Sequence, residues 1–463
     1  MYTFRLPDTF LIGTAHSAFQ SEGAWDRDGK TPSMMDHYAR EFAGKPFPAP
    51  PMAAKKAKAR LITTDLPDDG CFFYDNYAEY IEDMVKTGQN TFRLSLSWPR
   101  IIPTGYGEVN PKGIEYYNKV IDLLLEKGIE PLVDLNHWDL PQCLQDEDGG
   151  FRSKKFPEWF EAFAKVCFEA FGDRVKLWST FNEASVMINT GYCVGRFPPF
   201  ERSWEGSRLA AHNLILAHFR AVRLFREMGI KGKIGAVHAI SPVYPAETTD
   251  ADMGAANRQN QFKFDWYMAP MAEGKYPEEL IEACPEIKAA MPENYQEDLD
   301  KWFAPMDFVG LNYYYTKRSD YQPDNVLKSR FAEDFYSQPG AKYNPYPAGL
   351  MDAVTYVWHR YNLPIYITEN GIGMEDTHDE ETDCNDEDRI TCLREHLRMI
   401  VRAIRVGIPV LGYYYWDDAD CYEILTGLSH RFGLTWVDHE TGRRRWKKSR
   451  YYFQNICNTK TID

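Results

Sequence analysis

Two glutamates stand at the ends of apolar, strand-like runs. Leu363-Pro-Ile-Tyr-Ile-Thr-Glu369-Asn-Gly371 ends in one carboxylate before an Asn-Gly turn, and Val175-Lys-Leu-Trp-Ser-Thr-Phe-Asn182-Glu183 ends in another. A carboxylate at the mouth of a buried strand costs free energy unless something uses its charge. One such residue would read as a strand-end acid paired to a nearby arginine. Two can face each other across a pocket if their strands belong to one barrel or sheet. Cleaving a glycosidic bond needs two carboxyl groups flanking it, one as nucleophile or base and the other as acid. Asn182, Asn370, Asn312 and Gln20 supply polar neighbours, and Trp138, Trp416 and Tyr314 supply flat aromatic faces that suit a pyranose ring. Singly, each of these reads as a core or rim residue; gathered at successive strand ends, they favour a carbohydrate site.

The elements that must position these groups alternate along the chain. Strand-like runs begin at Phe10, Thr91, Pro131, Val175, Lys233, Met306, Leu363 and Pro409. Helical spacing is expected over 74–88, 116–128, 156–171, 209–228, 350–361 and 389–406. Eight strands, each followed by helix or loop, with polar residues at their ends, predict an α/β fold: a (β/α)8 barrel whose site lies at the C-terminal strand ends. A single domain over 1–463 is expected, with loop insertions. Residues 41–70, rich in Pro, Ala and Lys, are the main one.

Composition narrows the function further. The chain has 463 residues, 44% hydrophobic and 15% aromatic, with a net charge of −15. Such acidity argues against nucleic acid or an anionic membrane surface as partner. There is no basic region followed by an apolar stretch at the start, and no run long enough to span a membrane. Nine scattered cysteines without a Cys-x-x-Cys, and no Asn-x-Ser/Thr sequon, fit a reducing, cytoplasmic location. No metal-binding or phosphate-cradling motif is found, so neither metal nor cofactor is expected. A small-molecule β-glycoside or oligosaccharide is the expected partner. Oligomeric state is not readable from the chain.

The motifs together resemble glycoside hydrolase family 1, the β-glucosidase-like β-glycosidases, over nearly the whole chain. They are Ser17-Ala-Phe-Gln20-Ser-Glu-Gly23, Phe92-Arg93-Leu-Ser-Leu-Ser-Trp98-Pro, His137-Trp138-Asp-Leu-Pro-Gln142, Thr180-Phe-Asn-Glu183, Gly310-Leu-Asn312-Tyr-Tyr314 and Ile367-Thr-Glu369-Asn-Gly371. The resemblance implies a retaining β-glycosidase working by double displacement, with Glu183 as acid/base and Glu369 as nucleophile. It implies a sugar subsite of Gln20, His137, Trp138, Asn182, Asn312, Tyr314, Trp416 and Glu423, with Arg93 and Tyr314 supporting the Glu369 carboxylate. Asn182 would reach the sugar 2-OH, and Trp416 would lie under the ring. Tyr343 falls where relatives often place an aromatic facing the aglycone.

The eighth-strand segment departs from the family. Relatives usually read Trp-Ser-Leu-x-Asp-Asn-Phe-Glu-Trp, whereas this chain reads Trp416-Asp-Asp-Ala-Asp420-Cys-Tyr-Glu423-Ile424. Glu423 is kept, and its carboxylate would repel a sugar 6-phosphate. Ile424 replaces a Trp and removes an indole donor near the sugar 3-OH. Asp417 and Asp418 are expected to be solvated loop acids that add negative charge. The alternatives are a 6-phospho-β-glycosidase, a transglycosylase using the same residues, and a barrel that binds carbohydrate without cleaving it.

Overall fold

The computed structural model describes residues 4–46, 62–68, 70–332, 345–375 and 386–463. Eight short strands form a closed barrel: β1 (Leu11–Ala15), β2 (Thr91–Ser95), β3 (Glu130–Asn136), β4 (Leu177–Asn182), β5 (Lys233–Ala239), β6 (Val309–Asn312), β7 (Ile365–Asn370) and β8 (Val410–Trp416). Each pairs in parallel with its neighbours in chain order, and β8 closes on β1. Most of the strand residues are buried on both faces, which explains why these segments read as near-continuous apolar runs. The β1–β2 seam is tight: a Cβ at Gly13 would lie 1.8 Å from the Thr91 carbonyl oxygen.

Helices cover the barrel outside. Phe73–Thr87, Pro111–Glu126, Phe156–Phe171, Trp204–Glu227, Pro347–Tyr361, Glu387–Arg405 and Lys448–Thr459 follow their strands. Phe156–Phe171 shows how a helix fixes a functional strand. Its Phe160 stacks on Phe181 of β4 with ring centroids 4.2 Å apart, two residues before Glu183. Burying each such ring contributes about 1.5–3 kcal/mol. Several expected helices start earlier than the apolar period shows, two of them by a full turn or more. The Asn110 side chain accepts from the Lys112 N–H, and the Ser203 side chain from that of Gly206, so the helices begin at Pro111 and Trp204. The sixth strand starts at Val309 instead of Met306, because the Asp307 carboxylate turns aside to accept from the Ile234 N–H at 2.9 Å.

Both glutamate-bearing strands lose regular register just before their acids. The β4–β5 pairing shifts between Ser179 and Asn182, and the β7–β6 pairing between Ile367 and Glu369. Such irregularities re-aim side chains at a strand end. Beyond the barrel mouth, Val243–Pro245, Lys317–Tyr321 and Ser329–Phe331 form a small separate sheet on the rim. Of the inserted segment 41–70, residues 47–61 and 69 lie outside the described residues, as do Tyr343 and residues 376–385. Ile62 is buried against Tyr38, Phe197 and Ile424, so the insertion contributes to the wall beside the barrel mouth.

Candidate active site

Arg93 of β2 is fully buried at the centre of the site. Its Nη1 donates to Glu369 Oε1 at 2.7 Å and to the Thr368 carbonyl at 3.1 Å; its Nη2 donates to Asn182 Oδ1 at 2.8 Å. The same guanidinium lies 2.5 Å from Asp134 of β3. Burial alone would lower the arginine's pKa, but Asp134 and Glu369 outweigh it and raise it. Tyr314 Oη donates to the other oxygen of Glu369 at 2.7 Å.

Glu183 is held differently. It follows β4 in the left-handed backbone region, at φ 47° and ψ 49°, a conformation uncommon for a residue with a side chain. Its N–H bonds to the Val237 carbonyl at 2.9 Å. Its carboxyl oxygen receives a neutral donor, Asn312 Nδ2, at 3.0 Å. Burial first, and the charge of Glu369 second, push its pKa up to about 8.

These groups open onto a cavity of about 540 Å³. Gln20, His137, Trp138, Asn312, Tyr314, Trp416, Glu423 and Ile424 line it together with both glutamates. His137 stacks on Trp416 at 5.6 Å and 19°, and Trp138 Nε1 donates to the Asn182 carbonyl at 3.0 Å. Gln20 is pinned between Ser17 Oγ at 2.8 Å and the Tyr422 carbonyl at 2.9 Å. Asn182 and Arg93 stand behind this lining. The Asn182 amide bonds to Arg93, to Asn312 at 3.0 Å and to His137 Nε2 at 2.9 Å.

The sequence profile of glycosyl hydrolase family 1 matches residues 2–462. The chain belongs to glycosyl hydrolase family 1. It is 36% identical over 461 residues to beta-glucosidase A of Thermotoga maritima, with 99% of each chain covered. It is 34% identical to a 6-phospho-beta-glucosidase of Bacillus subtilis, with 98% of each covered. A solved Thermotoga maritima family 1 glycoside hydrolase, complexed with a cyclophellitol analogue transition state mimic, superposes with a TM-score of 0.92 over 100% of both chains, at 35% identity.

Against the family 1 expectation, one reading needs correction. Asp417 and Asp418 are buried, at 1% and 3% exposure, and are not solvated loop acids. Asp418 accepts from Thr14 Oγ1 at 2.9 Å and lies 3.2 Å from Arg450 on the last helix. Asp417 is bonded by the Asp418 N–H and by Cys421 Sγ. Burial raises its pKa well above the usual carboxylate value, and neither Asp417 nor Asp418 is among the residues that line the cavity. Sequence reasoning missed Asp134, the second carboxylate on Arg93. A charged residue inside the apolar run Pro131-Leu-Val-Asp-Leu was the available signal. It also missed Phe197, Arg196, Ser241 and Tyr315, which line the cavity from loops, and Lys317, which lines it from the start of the rim strand Lys317–Tyr321.

Arg93 compensates two buried carboxylates at once. Arg93→Met is expected to lower stability by about 3–5 kcal/mol, the cost of breaking a buried pair from one side. Urea unfolding measures this, and Arg93→Lys, which keeps the charge without the planar fork, should recover part of the loss.

Proposed function

We propose that this chain is a retaining, exo-acting β-glucosidase of family 1 in which Glu369 is the nucleophile and Glu183 the acid/base. The observation that carries the assignment is the unequal treatment of two neighbouring carboxyls. Glu369 bonds a guanidinium and a phenol, whereas Glu183 has one amide donor and a raised pKa. Environments that push a pair of carboxyls apart divide them into acid and nucleophile.

In the first step a Glu369 oxygen attacks the anomeric carbon as the bond to the leaving oxygen breaks. Glu183 gives that oxygen its proton. In the second step Glu183, now a carboxylate, takes a proton from water, whose oxygen displaces Glu369 and restores the original configuration. Gln20, His137, Asn182, Trp416 and Glu423 would hold the sugar. Asn182 would reach the 2-OH by turning its amide from His137. Glu423 supports a non-phosphorylated sugar, because a 6-phosphate beside it would meet a like charge. No residue of this scheme requires a cofactor.

One catalytic domain over 1–463 is part of the proposal, supported by the closed barrel and the extent of the family match. So is a reducing, cytoplasmic location, supported by the eight cysteines among the described residues, all free. No helix among those residues is long and apolar enough to cross a membrane.

Glu369→Ala should lose nearly all turnover while keeping its fold. With azide added it should form a glycosyl azide of inverted configuration, detectable by NMR; near-normal activity in this variant would remove Glu369 from its role.

Because Glu183 must start protonated, kcat/KM should fall as pH rises through about 8, the value its surroundings impose. Glu183→Ala should flatten that limb. It should also slow substrates with poor leaving groups roughly 10²–10⁴-fold more than activated aryl glucosides. Equal losses on both kinds of substrate would mean that Glu183 is not the acid.

Ile424 lines the cavity and packs on Phe19, Tyr38 and Phe197, so an aliphatic wall stands where relatives place an indole donor. Losing one neutral hydrogen bond should weaken binding of the 3-OH by about 0.5–1.5 kcal/mol. The wild type is therefore expected to discriminate little between glucosides and their 3-deoxy analogues, and Ile424→Trp to discriminate more. The ratio of kcat/KM for the two substrates measures it.

A further inference from the structure

Outward from the proposed acid/base, the cavity wall changes character. The chain leaves the barrel at Asn312, which bonds Glu183, and climbs through Tyr314, which bonds Glu369, to Tyr315, Thr316 and Lys317. All five line the cavity. The Lys317 N–H and the Thr316 hydroxyl both bond to the Pro242 carbonyl, which fixes this segment against the residues following β5. Since Glu183 protonates the leaving oxygen, this outer wall faces the leaving group.

Lys317 lines that wall, and a second lysine, Lys263, lies close to the Tyr315 ring without lining the cavity itself. Lys317 Nζ lies 5.4 Å from the Tyr315 ring centre and 5.0 Å from that of Phe331. Lys263 Nζ approaches the same two rings at 5.9 and 5.8 Å. Lys263 belongs to a π-helical turn, Gln261–Asp265, between two α-helices, a departure from regular helix often found at functional sites. Its ammonium makes a long hydrogen bond, 3.3 Å to the carbonyl of Ser241, itself a lining residue. Among the described residues neither ammonium has a carboxylate within 4.0 Å. Burial and the neighbouring Lys317 push the Lys263 pKa down to about 7, and the charge of Glu183 opposes them.

A buried ammonium without a counter-ion costs free energy, and two beside one aromatic pair repel each other. Several buried cations elsewhere among the described residues are paired with carboxylates: Arg93 with Asp134 and Glu369, Arg100 with Glu22, Lys447 with Asp420; buried Arg208 instead bonds Asn189 Oδ1 and lies over aromatic rings. In a chain of net charge −15, two lysines at the leaving-group side without a carboxylate partner among the described residues are a local reversal of sign.

We propose that Lys263 and Lys317, both beside the Tyr315 ring, form a leaving-group subsite for an anion, and that the enzyme accepts β-glucosides whose aromatic aglycone carries a carboxylate. The aglycone ring would lie along Tyr315, and its carboxylate would supply a counter-ion that the described residues do not. The inference rests on the β-glucosidase reading and adds to it the class of leaving group.

The test uses two substrates of matched leaving-group acidity: the 4-(carboxymethyl)phenyl β-D-glucoside and its primary amide. The methylene insulates the phenol from the charge, so the ratio of kcat/KM, acid over amide, reports recognition of the anion. The wild type should favour the acid by roughly tenfold at low salt, the scale of one charge-assisted contact. Added sodium chloride should shrink the ratio as screening grows. Lys317→Met and Lys263→Met should each bring the ratio toward one. Because the ratio is taken within each protein, a loss of folded fraction cancels. Turnover of both substrates with a wild-type ratio of one or less, or a ratio unchanged in both variants, would overturn the lysine subsite and leave the β-glucosidase reading standing. Absence of turnover of either substrate would instead remove the reading on which it rests.

Discussion

The guanidinium of Arg93 is the constraint on which the site depends. It is carried by β2 and takes its acceptors from three other strands: Asp134 of β3, Asn182 of β4, and Thr368 and Glu369 of β7. In an open sheet, strands two and seven would lie far apart. Only closure brings them to one point, so the charge pairing and the barrel topology each require the other. The planar fork of arginine matters as well, since one ammonium could not direct separate N–H groups to acceptors arriving from opposite walls. A buried carboxylate is tolerated at Glu369 because this cation is fixed before any substrate arrives.

From that anchor a chain of amides sets the state of the second carboxyl. The Thr368 hydroxyl donates to Asn312 Oδ1 at 2.7 Å, so the Asn312 amide must present its N–H groups to Asn182 and Glu183. Asn182 Oδ1 already accepts from Arg93 and Asn312, which leaves its own N–H to face His137 Nε2 as acceptor. Glu183 therefore receives an amide dipole and no cation. Burial and the nearby Glu369 charge then decide its protonation. One carboxyl bonds the cation directly and the other sees it through an amide, and that difference supports the division of roles proposed for them.

Much of this was legible in the chain, for physical reasons. Most barrel strands read as apolar runs because most of their residues are buried on both faces, the Thr91 strand read by its alternation, and the two glutamates stood out because each ends such a run. Helix 156–171 was recovered to the residue, since its apolar face is continuous, whereas helices capped by Asn110 and Ser203 extended beyond their periodic part. The failures share a cause. Asp417 and Asp418 read as loop acids because the groups that bury them come from elsewhere: Thr14 on β1 and Arg450 on the last helix. Asp134 was hidden for the same reason, being one charge in an apolar run whose partner lies on another strand. Local pattern reveals burial; it does not reveal which distant group compensates it.

Floor and rim of the cavity are held in different ways, and this bears on where specificity can reside. The floor groups, Arg93, Asn182, Asn312, Glu183 and Glu369, bond to one another, so replacing any one leaves buried polar atoms without partners. Such a network resists change to a single member. The rim is built from excursions beyond the strand ends, where Ile424 packs through apolar contact and Lys317 lies over aromatic rings. An aliphatic or cationic side chain held in that way can be exchanged at lower cost, because no hydrogen-bonding partner is stranded. The bond-breaking chemistry proposed for the floor is thus tied to barrel closure, while the proposed recognition of the sugar 3-position and of the leaving group would be carried by side chains held through apolar and ring contacts at the rim.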